Sequence, residues 1–397
     1  MGREEIMAKR QAIRRQRAAD AAAAAAAART GPDARVAIVT TMKNEGPFIL
    51  EWVAHHRAIG INDFLVYTND CDDGTDHLLD VLVSKGFVSR HLENPFVRNR
   101  GSQPQRAALR DAQTNPVITA ADWVIPMDVD EFINIHIGDG RFQTLLDAVP
   151  DANMISMTWR LFGNGFVRDY EDRLITEQML YCAHERARKP HQAWGFKTAF
   201  RDLGIFRRYS VHRPKGLRPK RVGDIRWVCA NGRPMPDSYY MNGWRASVQN
   251  WGYGLVTLNH YSLRSSQSYL VKKERGRVNH VDRDQGLAYW FRMNHNAEED
   301  RSIQARLPGT RAEYANMMAN AEIRAAHLAC VEAHQRKIAD LMAQPDYAAL
   351  FELIETPRMK ALSRMLANFD NAIFNVGPDA VPASFIERAD AMADRLP

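Results

Sequence analysis

The chain of 397 residues is 45% apolar and 25% charged, proportions that exclude a disordered or collagen-like polymer and allow a large buried core. No apolar run approaches the ~18 residues that a membrane-crossing helix needs. The four cysteines (Cys71, Cys182, Cys229, Cys330) form no CxxC pair, which argues against a disulfide framework or structural zinc and for a reducing compartment. Of the net charge of +6, residues 1–30 supply +4 through seven basic and three acidic residues, so the body is nearly neutral and gives no sign of a nucleic-acid-binding domain.

Residues 1–30 form a basic, alanine-rich tail. The run Ala21–Ala28 favours helix but offers no apolar stripe to bury, so an exposed, easily frayed segment is expected. Arg14-Arg15 faintly resembles a twin-arginine leader, although alanine makes a poor hydrophobic region. Contact of the tail with anionic lipid is a further expectation.

From Arg35 the pattern changes. RVAIVTT reads as a buried strand, and Pro47 opens a helix, PFILEWVAHHRAIG, closed by Gly60. DFLVYTN is the next strand. TDHLLDVLVSKG reads as a helix with Thr75 as N-cap and Gly86 as stop. FVSRHLE, PQRAALRDAQ and ADWVIPMDVDEF continue the alternation as strand, helix and strand. Such alternation predicts a mainly parallel sheet with helices on both faces and ligands beyond the carboxyl ends of its strands. NMISMTW and YGLVTLNHY read as later strands; residues 160–250 between them read as irregular structure around a site. From about residue 297 alanine-rich helical patterns predominate.

The polar residues gather at predicted strand ends. Asp128-Val129-Asp130-Glu131 follows the strand WVIPM, and carboxylates buried together are costly unless a cation compensates them. In an extended segment Asp128 and Asp130 point the same way, a pattern suited to Mg²⁺ or Mn²⁺ with positions left for phosphate oxygens. A solvated acidic turn is the alternative. Lys43, Asn44 and Glu45 stand where the first strand meets its helix, a place that favours an anion. Asn69, Asp70 and Asp73, in YTNDCDDGTD, end the second strand, where an acid can accept from a base or ribose or simply cap a turn.

In this order, TTMKNE, YTNDCDDGTD and MDVDEF resemble the nucleotide-sugar half of the family 2-like glycosyltransferases with the GT-A fold, in the branch whose helix reads E-W-x-x-H-H-x-x-x-G, here Glu51, Trp52, His55, His56 and Gly60. The resemblance extends through WRLFGNGF, LNHYSLRSSQSYLVKKERG and NHNAEEDRSIQ, covering about residues 35–305. It implies an α/β fold of GT-A type, with a Rossmann-like mixed sheet and helices on both faces. That domain would be residues 31–296, with a nucleotide-binding half over about 35–135 and an acceptor half over about 150–280; the alanine-rich pattern adds a helical C-terminal region over 297–397. It implies that Asp128 and Asp130 hold a Mn²⁺ or Mg²⁺ ion, completed by His260 of the NHY segment. It further implies that Lys43, Asn44 and Glu45 lie near the nucleotide; that Asn69, Asp70 and Asp73 meet the base and ribose, with Cys71 inserted among them where the family more often has D-D-G-S; and that Arg106 lies near the phosphates.

The implied reaction is inverting transfer of a sugar from a nucleotide-diphosphate sugar to a hydroxyl acceptor, which is a glycan, a lipid-linked sugar or a protein, as in polysaccharide or surface-glycan synthesis. A cation eases departure of the diphosphate, with Lys272, Lys273 and Arg275 at hand, and a carboxylate serves as base. Asp169, Glu171, Asp172 and Glu177 compete for that role; Glu177, then Glu171, fits the resemblance best. Trp159, Phe162, Trp194, Trp244 and Trp251 are candidates for stacking on sugar rings or for the core. The expected setting is cytoplasmic, with peripheral contact at the inner face of a membrane through the tail and no nucleic-acid partner. A sugar-phosphate nucleotidyltransferase and a non-catalytic glycan-binding protein are the alternatives; the single glycine of TTMKNEGPF counts against the first, and the intact Asp128/Asp130 pair against the second.

Overall fold

The structure, a computed structural model, describes residues 32–98, 103–276 and 286–393, with positions 12, 13, 16 and 20 of the tail. The expectations for the tail as a whole lie outside the described residues.

Chain order begins with β1 (Val36–Met42), α1 (Gly46–Ala58), β2 (Asp63–Thr68), α2 (Thr75–Ser84), β3 (Arg90–Glu93), α3 (Pro104–Ala112) and β4 (Trp123–Pro126). β1 pairs in parallel with β2 and β4, and β2 with β3. Then come β5 (Glu131–Ile135), β6 (Met154–Leu161), the short helix α4 (Ile175–Gln178), β7 (Tyr181–Cys182), β8 (Phe196–Phe200), β9 (Phe206–Arg208), β10 (Lys215–Leu217), β11 (Trp227–Cys229), β12 (Val256–His260), α5 (Ser266–Arg275) and β13 (Glu298–Glu299). Nine strands form one mixed sheet in the order β3-β2-β1-β4-β8-β6-β12-β5, with β11 beside β6. β8 runs antiparallel between β4 and β6, and β12 is parallel to β6 but antiparallel to β5.

Side chains alternate across the pleat. Ile38 and Phe64 enter the core shared with Trp52 and Leu79, while Val39 and Leu65 enter the opposite core with Ala108 and Leu109 of α3. Helices therefore cover both faces, as expected. The C-terminal region is helical, led by α6 (Leu307–Ala319) and α7 (Ala321–Met342). It packs on the first βα units: Arg57 pairs with Glu313 at 3.0 Å and Lys85 with Glu322 at 2.7 Å. A Cβ at Gly46 would lie 2.6 Å from the Cys330 Cβ, so only glycine lets α7 approach there.

This cover explains why α1 is buried nearly all round, from Gly46 to His56. Its E-W-x-x-H-H residues serve packing. Trp52 Nε1 donates to the Glu131 carbonyl at 3.0 Å, and His55 Nε2 donates to the Ile133 carbonyl at 2.8 Å. These two bonds fix the chain just beyond the D-x-D segment. Truncating Trp52 would cost about 3–5 kcal/mol.

Two local expectations are corrected. Residues 160–250 are not merely irregular: they supply β8 and β11 of the central sheet. These two strands are separated by a hairpin and a 3₁₀ turn rather than by an amphipathic helix, so no strand–helix alternation announces them. Thr75 is the first residue of α2 rather than its cap. The cap position is Gly74 at φ +89°, and the Thr75 hydroxyl accepts from the Glu45 backbone N–H at 2.9 Å.

Candidate functional site

The loops after β1, β2 and β4 open on one edge of the sheet, and hydrogen bonds lace the first two together. Asn44, at φ +51°, donates its amide to Asp72 and accepts from the Asp72 N–H at 2.9 Å. Asp73 accepts from the backbone N–H groups of Gly46 and Thr75, at 3.1 and 2.9 Å, so it ties the starts of α1 and α2 together. Burial pushes its carboxyl pKa up. Asp70 is exposed at φ +52°, next to a buried Asn69 whose Oδ1 has no hydrogen-bond partner.

Glu45 is buried between two guanidiniums. Arg264 donates to it at 2.6 Å and Arg275 at 2.5 Å, and Arg275 also donates to the carbonyls of Lys43 and Asn44. Burial opposes ionisation of Glu45, but Arg264, Arg275 and Lys272 outweigh it and hold the carboxyl below its usual range. Arg264 also lies 3.6 Å from the centroid of the Phe48 ring, and its Nε and Nη2 are buried without hydrogen-bond partners.

The D-x-D segment is a turn, not an extended strand end, which corrects the reason given for grouping its carboxylates. The Glu131 N–H closes the turn on the Asp128 carbonyl at 3.1 Å. Each aspartate has its own lysine. Asp128 accepts from Lys197 at 3.0 Å and from Gln105 at 2.6 Å. Asp130 accepts from Lys272 at 2.7 Å and stands 3.5 Å from His260 Nε2. Burial opposes the charge on Asp130, yet Lys272 and His260 hold its pKa well below normal. Glu131 is fully buried, accepting from Trp159 Nε1 and the Asp128 N–H; desolvation, reinforced by Asp128, keeps its pKa well above normal. Lys197, Lys272, Arg264 and Arg275 thus stand among Asp128, Asp130, Glu131 and Glu45, each cation held in place by a carboxylate.

The expected divalent ion is tested by the donors present. Asp130 Oδ1 and His260 Nε2 are 3.5 Å apart, close to the ~3 Å that separates adjacent ligands of one octahedral ion. His260 Nδ1 is buried without a partner, while both Asp128 oxygens are engaged. Among the described residues no group of three or more His, Cys, Asp or Glu side chains converges. The donors therefore fit an ion held by two protein ligands and completed by phosphate oxygens, not a closed protein cage.

Aromatic rings form a wall beside this turn. Trp159 stacks on His260 at 4.8 Å, and His212 stacks on Trp244 at 4.9 Å. Trp194 and Trp251 stack on each other instead, and Phe162 is core against Tyr261. Lys273 turns its ammonium over the ring of Tyr347. Arg106 is exposed on α3, one residue from Gln105.

The acids proposed as base lie among other partners. Asp169 pairs with Arg168, Glu171 with Arg173, Asp172 with His327, and Glu177 with Arg311. None of these partners is shared with Asp128, Asp130 or His260. Glu177 sits on α4, whose first N–H groups, from Ile175 and Thr176, are held by Glu51 at 2.6 and 3.0 Å.

Lys197, Gln105 and Arg264 were not anticipated. A lysine within the apolar run FKTAF was a readable signal, since an unpaired buried ammonium is expensive. Gln105 and Arg264 carried none, because their partners lie 23 and 219 residues away.

Residues 39–218 match the family model for glycosyltransferase family 92. The match takes in the first loop and the D-x-D turn but stops before His260 and Lys272. A glycosyltransferase family 92 protein of Ricinus communis is 32% identical over 119 residues, 30% of this chain and 20% of the relative. Family 92 proteins of Arabidopsis thaliana and Oryza sativa subsp. japonica are 29% and 28% identical over 105 and 112 residues, covering 26% and 28% of this chain and 17% and 18% of theirs. The aligned part of the chain spans about a fifth of the length of these relatives. The similarity is thus to glycosyltransferases, and the family named is 92 rather than the family 2-like branch.

Proposed function

We propose that this protein is a glycosyltransferase that moves a sugar from a nucleotide-diphosphate sugar to a hydroxyl, with inversion, in a cleft of GT-A type at the ends of β1, β2 and β4. The observation that carries this reading is the set of cations already held in place around Asp130 and Glu45. A sugar–phosphate bond breaks with negative charge gathering on the leaving diphosphate, and preset positive groups stabilise that charge as it develops. Lys272, Arg264 and Arg275 are already fixed by Asp130 and Glu45, so they need little reorganisation when the anion arrives.

Asp130 and His260 are the residues proposed to hold Mn²⁺ or Mg²⁺, with Asp128 beside them. Such an ion would supply Lewis-acid neutralisation of the diphosphate. The unpartnered Asn69 Oδ1 and the exposed Asp70 are proposed to meet the base and ribose, with Lys43, Asn44 and Arg106 at the margin. Asp73 is assigned to holding the loops. Glu177, or Glu171, is proposed to take the acceptor proton. Trp244, half-buried on the aromatic wall, offers an apolar face to a sugar ring, backed by the buried Trp159. A glycan or lipid-linked acceptor, a cytoplasmic setting and membrane contact through the tail belong to the same proposal.

The test is a thermal-shift screen of UDP-, GDP- and CDP-sugars with and without Mn²⁺, followed by hydrolysis of whichever donor binds. One donor should raise the melting temperature of the wild type, and Asp130→Ala should abolish both that shift and turnover while remaining folded. No shift with any nucleoside diphosphate, or full turnover by Asp130→Ala, would overturn the reading.

A further inference from the structure

The near-neutral body conceals a separation of charge. Residues 201–233 contain ten Lys and Arg against two acids, a net +8 that exceeds the +6 of the whole chain. They form the β9–β10 hairpin, the 3₁₀ turn Pro219–Asp224 and β11. Ile205, Tyr209 and Ile225 anchor the underside in the core, and the Arg207 carbonyl accepts from Gln113 just beyond α3.

The outer face is cationic. Arg201, Arg207, Arg208, Lys215, Arg218 and Lys220 are all exposed. The two acids are already engaged, Asp202 by the Tyr209 hydroxyl and Asp224 by Arg221. Arg208 and Lys215 stand directly opposite each other in the β9–β10 ladder. Like charges in that register destabilise a hairpin. Burial, then Arg213, Arg106 and Arg208, lower the pKa of Lys215. The fold keeps a repulsive pair that an external anion would relieve.

Within this field stand two aliphatic tips, Leu203 at 40% and Val222 at 48% exposure. Their stretches of chain adjoin: the Arg218 N–H donates to the Ile205 carbonyl at 2.9 Å, and a Cβ at Gly204 would lie 4.0 Å from Arg221 Nη1. A soluble polyanion has no use for bare Leu and Val, whereas a bilayer takes both the cations and the tips. Of the aromatic rings on which a single-stranded nucleic acid would stack, Tyr209 and Trp227 are buried and Phe206 is half-buried.

We propose that this face, residues 201–222 with Leu203 and Val222 at its summit, docks on an anionic lipid bilayer. The site differs from the N-terminal tail, and its binding does not depend on the transferase reading. The hydrogen bond from Gln113 to the Arg207 carbonyl places the patch against the end of α3, the helix whose Gln105 holds Asp128. Docking would thus set the border of the cleft near the membrane and favour an acceptor carried there.

The experiment is flotation of the full chain with phosphatidylcholine vesicles, with and without one-quarter phosphatidylglycerol, at low and high salt. The wild type should float only with the anionic vesicles and lose binding at high salt. Arg207→Glu/Arg208→Glu/Lys220→Glu, with the tail intact, should bind about tenfold more weakly or worse. Leu203→Ser/Val222→Ser should weaken vesicle binding several-fold while leaving retention on heparin unchanged. All substituted side chains are exposed, and unchanged melting temperatures verify the fold; Arg207→Ala/Lys220→Ala is the milder substitute should the reversal variant fail that check. Undiminished flotation of the charge variants would assign binding to the tail and overturn the proposal. Heparin retention without flotation would overturn it in favour of a soluble polyanion.

Discussion

The ammonium of Lys197, wholly out of solvent, lies 3.0 Å from Asp128 Oδ2 and 3.7 Å from Glu131 Oε1. Burial opposes its charge, but the carboxylates of Asp128 and Glu131 outweigh that cost and raise its pKa. The first aspartate of the turn is thereby compensated from within the sheet, by β8, before any ligand arrives. The second is compensated from α5 by Lys272, beside the imidazole that could share an ion with it.

Lys197→Met should destabilise the fold by about 3–5 kcal/mol, because it leaves the Asp128 charge without its partner. Adding Asp128→Asn should recover part of that loss. Urea unfolding of the two single variants and the double variant would measure the coupling. Strict additivity would show that the pair does not interact.

His260→Ala should leave nucleoside-diphosphate binding without metal little changed and should remove most of the extra stabilisation that Mn²⁺ confers. Asp130→Asn should likewise remove the Mn²⁺ increment, since it weakens the other proposed ligand, while Lys272, freed from its carboxylate, stays available to the diphosphate. Thermal shift against nucleoside diphosphate, titrated with and without Mn²⁺, reports this without any turnover. An undiminished Mn²⁺ increment in His260→Ala would exclude the imidazole as a ligand.

The first half of the fold was legible because its strands and helices alternate cleanly, with Pro47 and Gly60 punctuating α1. The D-x-D residues were legible as a cluster, because several acids after an apolar strand demand compensation. Which cation meets which aspartate was not legible. Lys197 sits 69 residues from Asp128, and Lys272 sits 142 residues from Asp130, and no local pattern encodes such pairings. The E-W-x-x-H-H helix marks a family resemblance, yet its histidines hold backbone carbonyls rather than a ligand. The charge of residues 201–233 was present in the sequence but vanished in the average over the body.

Stability should fall steeply on acidification. Burial lowers His55 and His295 to about 4, His334 to about 3, and His56 well below the ordinary 6.5. Between pH 6.5 and about 4 the unfolded chain binds protons that the folded chain refuses. The stabilisation is therefore complete above pH 6.5 and is lost as pH falls, at up to ~1.4 kcal/mol per pH unit for each histidine. Glu51 works the other way. Its pKa is raised to about 7 by burial, so its contribution is complete below about 4.5 and is lost as pH rises through 7. Five buried histidines, His212 at about 3 included, outnumber the three acids raised by burial, Glu51, Glu131 and Asp73, and set the sign: denaturant unfolding across pH 4–7 should show net proton uptake on unfolding below pH 6. Net release there would contradict the buried, neutral histidines.

Glu177 and Glu171 can be separated from mere surface charge. Glu177 pairs with an exposed Arg311, and Glu171 is itself exposed beside Arg173, so replacing either with Gln should leave the melting temperature unchanged. If Glu177 takes the acceptor proton, Glu177→Gln should lower transfer by ~10²-fold or more while donor binding persists. Glu51→Ala should lower transfer as well, but through another route. It releases the first turn of α4, so wild-type-like donor binding should accompany a lowered melting temperature and a raised KM for acceptor. Full transfer by both Glu177→Gln and Glu171→Gln would move the base out of the 169–177 segment, and His212 on the aromatic wall would be the next side chain to replace. Its Nδ1 already donates to the Phe196 carbonyl at 3.0 Å, which leaves Nε2 as the acceptor face of a neutral ring.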